Sequence, residues 1–236
     1  MPPGYERLQV EPVRKTAERL HARIEARLSE RNLVKVSAEL VQLIDDVGSG
    51  SARIRGRLRL ARLASEILLV VAIAGSIVLL GFAFRDAFSD RGPDRSFDWL
   101  PLVETTVNDL VFVAIAIFFL HSIPNRLLRG HTLRLLHRLR SLAHIIDMHQ
   151  LTKDPERLRN SWTRTSVSVD VGLDRQEMEA YLDYWSELLS IVGKAAALCA
   201  EESQDPLVLD TVSTIETMTN GMSRKIWQKI SVLPTA

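Results

Sequence analysis

The sequence predicts an all-α protein, in which a two-pass transmembrane helical hairpin separates N-terminal cytoplasmic helices from a C-terminal antiparallel helical hairpin. Two apolar segments in the middle of the chain, bordered by arginine, predict the membrane hairpin. Apolar residues that recur every three or four positions predict helices on both sides of it. With 236 residues, the chain is long enough for one or two compact units.

The N-terminal region, residues 1–50, has the periodicity of amphipathic helices. Its first apolar series ends at Leu28, and a second series runs to Val47. Asn32 lies between them, where it either caps a second helix or falls within one long helix. We expect a hinge at 48–51 (GSGS), because glycine is unfavourable inside a helix and common at helix ends.

Residues 51–125 form the predicted membrane region, with spans at about 67–84 and 103–123. The first span contains eighteen consecutive uncharged residues, and the second has an apolar core of eleven residues, Leu110 to Leu120. Ala72 and Ser76 lie four positions apart in the first span, a small-residue pattern that favours close helix packing. Hydrophobic spans of about 20 residues cross a bilayer, and short arginine-rich flanks stay in the cytoplasm. We therefore expect an inner (plasma) membrane location with both termini cytoplasmic.

Arginines next to the spans are predicted to contact anionic lipid headgroups at the membrane surface, at about 1 kcal/mol per residue. These membrane-surface candidates are Arg53, Arg55, Arg57, Arg59, Arg62, Arg126 and Arg129. The alternative for residues 53–62 is an ordinary solvated helix. Nucleic acid is not an expected partner, because the net charge is only +1 and no aromatic residues alternate with these arginines.

The C-terminal region, residues 126–236, is predicted to be helical throughout, except for a linker at 163–172. Pro124, just before it, should kink or restart the helix that follows. Asp174 with Glu177 forms a capping-box pattern, and Asp205 with Pro206 marks the start of the last helix. These last two helices should fold back on each other, and the N-terminal helices are expected to pack against them.

The helix after Asp174 carries the clearest heptad pattern outside the predicted membrane region. Its apolar positions are Met178, Tyr181, Trp185, Leu188, Val192, Ala195 and Cys199. The same helix is acidic, so we expect it to face the basic helix 126–140 or Arg157, Arg159 and Arg164, unless its acidic face is simply solvated. Trp162, Trp185 and Trp227 are interpreted as packing residues.

The second span includes polar residues that suggest an ion pathway. Glu104, Asn108 and Asp109 share one broad helical face, and Phe112 and Phe119 continue it. A ring of carboxylates above an aromatic constriction, repeated in an oligomer, is one way to build a cation pore. In the alternative interpretation, the span begins near Val107 and both carboxylates lie among the outer headgroups.

Chemistry at a defined site is not expected. His144 and Asp147 lie one helical turn apart and are weak metal candidates, but further ligands would be needed, and the favoured interpretation is an amphipathic helix with both residues on its polar side. The single cysteine excludes an internal disulfide and fits a reducing compartment. Nucleotide-binding, metalloprotease and hydrolase motifs are absent from the sequence, which favours a non-enzyme without a cofactor.

The leading functional hypothesis is a non-catalytic inner-membrane protein whose cytoplasmic helices mediate assembly, recruitment or sensing. Its expected partners are the lipid bilayer and either further copies of the chain or another helical protein. The alternative is a homo-oligomeric ion channel lined by the second span. The two hypotheses differ in whether Glu104, Asn108 and Asp109 face an aqueous path.

Overall fold

The computed structural model describes residues 7–88, 100–151, 153–158, 162–163, 165–166, 168, 172–201 and 203–233. The chain folds into helices, as the sequence predicts, and no strand occurs among these residues. The helices are α1 (Val10–Leu28), α2 (Asn32–Phe88), α3 (Leu100–Leu151), α4 (Arg175–Ala200) and α5 (Pro206–Ser231), with a short 3-10 turn at Pro155–Leu158.

The chain divides into two compact units. The first, here called the bundle unit, combines Met1–Ser51 with Arg129–Ala236. The second, here called the hairpin unit, consists of Ala52–Leu128. The N-terminal helices and the C-terminal helices therefore share one unit.

The bundle unit is held together by one apolar core to which all five helices contribute. All seven positions of the predicted heptad pattern on α4 are buried, which confirms that pattern, and Trp185 is completely inaccessible to solvent. From α3 the core receives the predicted apolar face, including Leu135, Leu139, Leu142 and Ile146. Burial of a leucine or isoleucine side chain stabilises a fold by about 1.5 to 3 kcal/mol relative to exposure. The amphipathic pattern is thus the main source of the stability of this unit.

The starts of α4 and α5 are capped as the sequence predicts. Asp174 accepts a hydrogen bond of 2.7 Å from the backbone N–H of Glu177. The carboxylate of Glu177 accepts a hydrogen bond of 3.1 Å from the backbone N–H of Asp174. Asp205 accepts a hydrogen bond of 2.9 Å from the N–H of Leu207. Each cap satisfies N–H groups that a helix leaves without partners at its first turn. These caps fix where the two helices begin and let them pack as a hairpin.

The predicted hinge at residues 48–51 is wrong, because α2 continues as a helix through these residues. Gly48 instead permits a close approach of α1. A Cβ atom built at this glycine would lie 2.8 Å from Cγ1 of Val10, which is closer than real Cβ contacts. Tertiary packing therefore outweighs the low helix propensity of glycine here. Likewise, α3 runs through Pro124 without restarting.

Most acidic residues of α4 and its caps are exposed, as the solvated alternative expects, while the described ion pairs of α4 and α3 are made with other helices. Arg159 and Arg164, two of the suggested partners, lie outside the described residues. On α4, Glu187 binds Arg23 of α1 with two hydrogen bonds, of 2.9 and 3.2 Å. On α3, Arg138 instead binds Asp46 and Glu39 of α2, at 2.6 and 3.1 Å. Charge patterns along a sequence indicate that pairs can form, but helix packing decides which residues meet.

The two-pass hairpin predicted for the middle of the chain is established only as a pair of helices. Within the part of the chain that the structure describes, no helix reaches the combination of length and hydropathy required for a membrane span. The side chains at positions 79–80, 83–84, 101–102 and 120–125 are outside the described set.

Candidate functional site

The hairpin unit displays large apolar side chains on its surface along both helices. On α2, the exposed fraction is 63% for Ile67 and 55% for Val78, and on α3 it is 72% for Leu110 and 69% for Phe112. Further exposed members are Leu68, Val70, Val71, Ile73, Ile77, Phe82, Val103, Val107, Val111, Ile115, Ile117, Phe118 and Phe119. Contiguous apolar surface on this scale marks an interaction site for lipid or protein.

A minority of positions in this unit are partly covered, and they recur with helical spacing. They are Ser65, Leu69, Ala72 and Ser76 on α2 and Thr106, Val113 and Ala116 on α3. Steps of three, four and seven residues place each set on one side of its helix. Each set therefore lies along one side of its helix, here called the covered face.

The opposite sides, here called the outer faces, differ in chemistry between the two helices. The outer face of α2 is purely apolar and includes Ile67, Ala74 and Val78. On α3, the outer face carries the exposed polar residues Glu104 and Asn108. It also contains Val111, Ile115 and Phe118, while Phe112 and Phe119 lie on one flank of it. Four of the five pore-lining candidates thus lie on or beside one face of α3, while the side chain of Asp109 is outside the described set.

The predicted membrane-surface arginines are only partly described. The side chains of Arg53, Arg55, Arg57, Arg59 and Arg62 lie outside the described set, so their role stays a prediction. Arg126 is exposed. Arg129 is also exposed, but its Nε lies 3.5 Å from a carboxylate oxygen of Asp205 in the bundle unit. A surface ion pair of this kind contributes about 0 to 1 kcal/mol and does not prevent contact with a lipid headgroup.

The weak metal candidates His144 and Asp147 do not come together with further ligands in the described part of the molecule. His144 is exposed, and a carboxylate oxygen of Asp147 accepts a 2.8 Å hydrogen bond from the side-chain amide of Gln150. No group of three or more histidine, cysteine, aspartate or glutamate side chains suited to a metal occurs among the residues described. The geometry here is that of an amphipathic helix.

A surface cleft of about 460 Å³ lies between α1, α4 and α5 of the bundle unit. It is lined by Arg23, Arg27, Gln176, Glu179, Ala180, Asp183, Tyr184, Trp227 and Ile230. Its lining combines charged groups of both signs with a few apolar and aromatic side chains, of which Trp227 is 57% exposed. Exposed tryptophan beside arginine and tyrosine is the composition typical of protein-binding surfaces.

Arg23 fixes one wall of this cleft. Its guanidinium lies 5.2 Å from the centre of the Tyr184 ring and also binds Glu187. The hydrogen bond to Glu187 raises the pKa of Arg23, while burial acts in the opposite direction. Both contacts hold the arginine in one orientation, so the wall that it forms is preorganised for a partner.

Sequence reasoning did not identify the cleft, and it assigned Trp227 to the packing residues. That assignment is correct for Trp185 but wrong for Trp227, whose ring is largely exposed. A signal was present, because Trp227 follows Ile226 directly and so lies off the apolar stripe of α5. A tryptophan next to a stripe, rather than on it, points away from the core.

Cys199 does not offer a nucleophile. It is buried, and its Sγ donates a 3.7 Å hydrogen bond to the carbonyl oxygen of Ala195. Burial raises the pKa of the thiol to about 12. Because the thiolate is the reactive form, this cysteine behaves as a small apolar core residue.

Comparison with known proteins found no match among protein-family models, curated proteins or solved structures. Two surfaces of the molecule are the candidates for function. One is the apolar exterior of the hairpin unit, and the other is the cleft of the bundle unit.

Proposed function

We propose that this chain is a non-catalytic integral protein of the inner membrane, with both termini in the cytoplasm. In this proposal, the hairpin unit crosses the bilayer twice, at about 67–84 and 103–123. The observation that carries it is the band of exposed large apolar side chains on both helices of that unit. In water such a band is unfavourable by about 25 cal/mol per Å² of apolar surface, whereas in lipid it is solvated.

The arginine distribution supports the proposed orientation. Arginines precede the first span and follow the second, whereas residues 85–98 between the spans carry three arginines and four aspartates. Short segments rich in arginine remain on the cytoplasmic side. Anionic headgroups of the inner leaflet would then bind the seven membrane-surface arginines.

The bundle unit supplies the proposed recruiting function. Its cleft presents Trp227 and the oriented Arg23 to solvent, and Glu179 and Asp183 add negative charge on the α4 side. A helical partner protein with an apolar ridge flanked by charges of both signs suits this surface. Assembly of copies in the membrane and recruitment of such a partner require no catalytic group.

Insertion is tested by placing a charge in the middle of the exposed apolar band. Val78→Arg should destabilise the span by about 2.5 to 3.5 kcal/mol, because arginine is unfavourable at the centre of a membrane helix. We expect less protein to resist alkaline carbonate extraction, whereas the matched change Leu207→Arg on the exposed surface of α5 should leave extraction unchanged. If Val78→Arg is harmless, the side chain lies in water and the membrane proposal is wrong.

Recruitment is tested at the cleft. Native gel electrophoresis of the solubilised protein should show a complex heavier than its homo-oligomer, and Trp227→Glu should remove that complex. Leu207→Glu is the matched control, because Leu207 is also exposed on α5 but does not line the cleft. Equal behaviour of the two variants would contradict recruitment through the cleft.

The second candidate function is a homo-oligomeric cation channel, which the outer face of α3 favours. There the exposed Glu104 and Asn108 precede Phe112 and Phe119 along the helix. Carboxylates at a pore mouth attract cations, and phenylalanines deeper in the path form a constriction that gates by dewetting. On α2, by contrast, the outer face is apolar, and a residue such as Val78 would contact lipid.

The channel is tested by conductance and reversal potential in planar bilayers under a salt gradient. Glu104→Gln combined with Asp109→Asn should reduce cation preference, and Phe112→Ala should raise leak current. Val78→Ala is the control and should change neither quantity. Selectivity that ignores both carboxylates would remove them from any pore and leave them among the outer headgroups.

A further inference from the structure

The cleft of the bundle unit receives a different chemistry from each of its three helices. From α4, Glu179 and Asp183 lie one helical turn apart and contribute two negative charges. From α1, Arg27 contributes a positive charge, and from α5 the exposed indole of Trp227 contributes an aromatic surface. A partner that fits the cleft has to match all three helices.

The remaining cation of the cleft, Arg23, is already neutralised within the molecule. Its guanidinium donates two hydrogen bonds to Glu187, at 2.9 and 3.2 Å. The raised pKa of Arg23 comes mainly from this hydrogen-bonded contact, and Asp183 contributes least to it. In the described part of the chain, the side chains of Glu179, Asp183 and Arg27 form no salt bridge and no hydrogen bond. Their charges are therefore available to a partner.

We propose that the cleft binds a helix of a partner protein that directs an arginine toward Glu179 and Asp183 and a carboxylate toward Arg27. A guanidinium matches two neighbouring carboxylates, because its planar fork of N–H groups can donate to both. Its flat face also stacks on an indole, which Trp227 offers. The proposal rests on the recruiting function proposed above and specifies the charges that the partner carries.

Charge complementarity is what selects this partner over a purely apolar one. Asp183 is half-buried before anything binds, so a bound partner removes it further from water. A charge that loses its water without gaining an opposite charge is strongly unfavourable. The cleft follows α4 from Gln176 to Tyr184, about two helical turns, which is a length that one partner helix can contact.

Synthetic helical peptides with one shared leucine ridge test this inference on the purified, detergent-solubilised full chain. One peptide carries an arginine and a glutamate on the ridge flanks, and the second has glutamine in place of the arginine. Fluorescence anisotropy of a label on each peptide should show about tenfold tighter binding of the arginine peptide, the effect of one charge-assisted hydrogen bond. Equal affinities would overturn the proposal. Free arginine amide that bound as tightly as the peptide would also overturn it, because the cleft would then be a small-molecule site.

Variants of the cleft test the carboxylates. Asp183→Asn should weaken binding of the arginine peptide about tenfold and leave the glutamine peptide unaffected, a difference that loss of folding would not produce. Asp210→Asn is the matched control, because Asp210 is exposed on α5 and does not line the cleft. In a charge exchange, Glu179→Arg should prefer a peptide with glutamate at the arginine position. Equal effects of Asp183→Asn and Asp210→Asn would contradict the assigned contact.

Failure of this inference and failure of recruitment give different results on native gels. If Trp227→Glu removes the heavier complex while Glu179→Gln combined with Asp183→Asn leaves it intact, the arginine contact is wrong and recruitment stands. If the wild-type protein forms no complex heavier than its homo-oligomer, recruitment is contradicted, and with it this partner.

Discussion

Replacement of Leu188 by alanine tests the core of the bundle unit most sharply. Only 1% of Leu188 is exposed, and its neighbours Trp185 and Val192 on α4 are fully buried. The vacated space can collapse only partly, because these neighbours are held in a packed core. Leucine-to-alanine changes at such positions destabilise a protein by about 2 to 5 kcal/mol. For a unit of this size, about 3 kcal/mol corresponds to a decrease in Tm of roughly 6 to 12 °C.

The assay is thermal unfolding of the detergent-solubilised full chain, followed by intrinsic fluorescence, to which the buried indole of Trp185 contributes. Leu209→Ala is the matched control, because Leu209 is an exposed leucine of α5. Its replacement should change the unfolding free energy by no more than about 0.5 kcal/mol. Equal Tm shifts in the two variants would refute the packing argument for α4 and α5.

Three further predictions concern other parts of the bundle unit. Gly48→Ala should lower the Tm, because the new methyl group meets Val10, whereas Gly221→Ala in open space on α5 should raise stability by about 1 kcal/mol through helix propensity. Burial lowers the pKa of His131 below 6.5. The stability that this residue contributes is therefore present above that pH and is lost as the pH falls through the folded-state pKa. A plot of the unfolding midpoint against pH should be flatter for His131→Gln than for the wild-type protein. Lys229→Met should destabilise the unit by about 1.5 kcal/mol in denaturant titrations, because the carbonyl oxygens of Gln150, in the last turn of α3, and Lys153, just after it, lose a charged donor.

Local patterns predicted the C-terminal helical hairpin well. The capping residues Asp174 and Asp205 define helix starts through short-range hydrogen bonds, which sequence spacing reveals directly. The heptad positions of α4 were identifiable because burial follows helical periodicity. Both signals depend on residues within one or two turns of each other, so no knowledge of tertiary structure was needed.

Features that depend on distant residues were not predictable in this way. Gly48 has the signature of a helix break, but contact with Val10, 38 positions earlier, gives it a packing role inside α2. Arg138 binds α2 and Glu187 binds α1, and charge composition along the chain does not specify either partner. The cleft around Trp227 requires three helices to meet, which no local pattern encodes.

Mapping which side of the membrane each part of the chain faces decides whether the protein crosses the bilayer twice. Reporters should be placed at the two termini and within residues 89–99, rather than near residue 50, where α2 is helical and contributes to the bundle unit. We expect cytoplasmic signals at both termini and an external signal from residues 89–99. A terminus reported on the outer side, or residues 89–99 reported in the cytoplasm, would contradict the two-pass membrane hairpin.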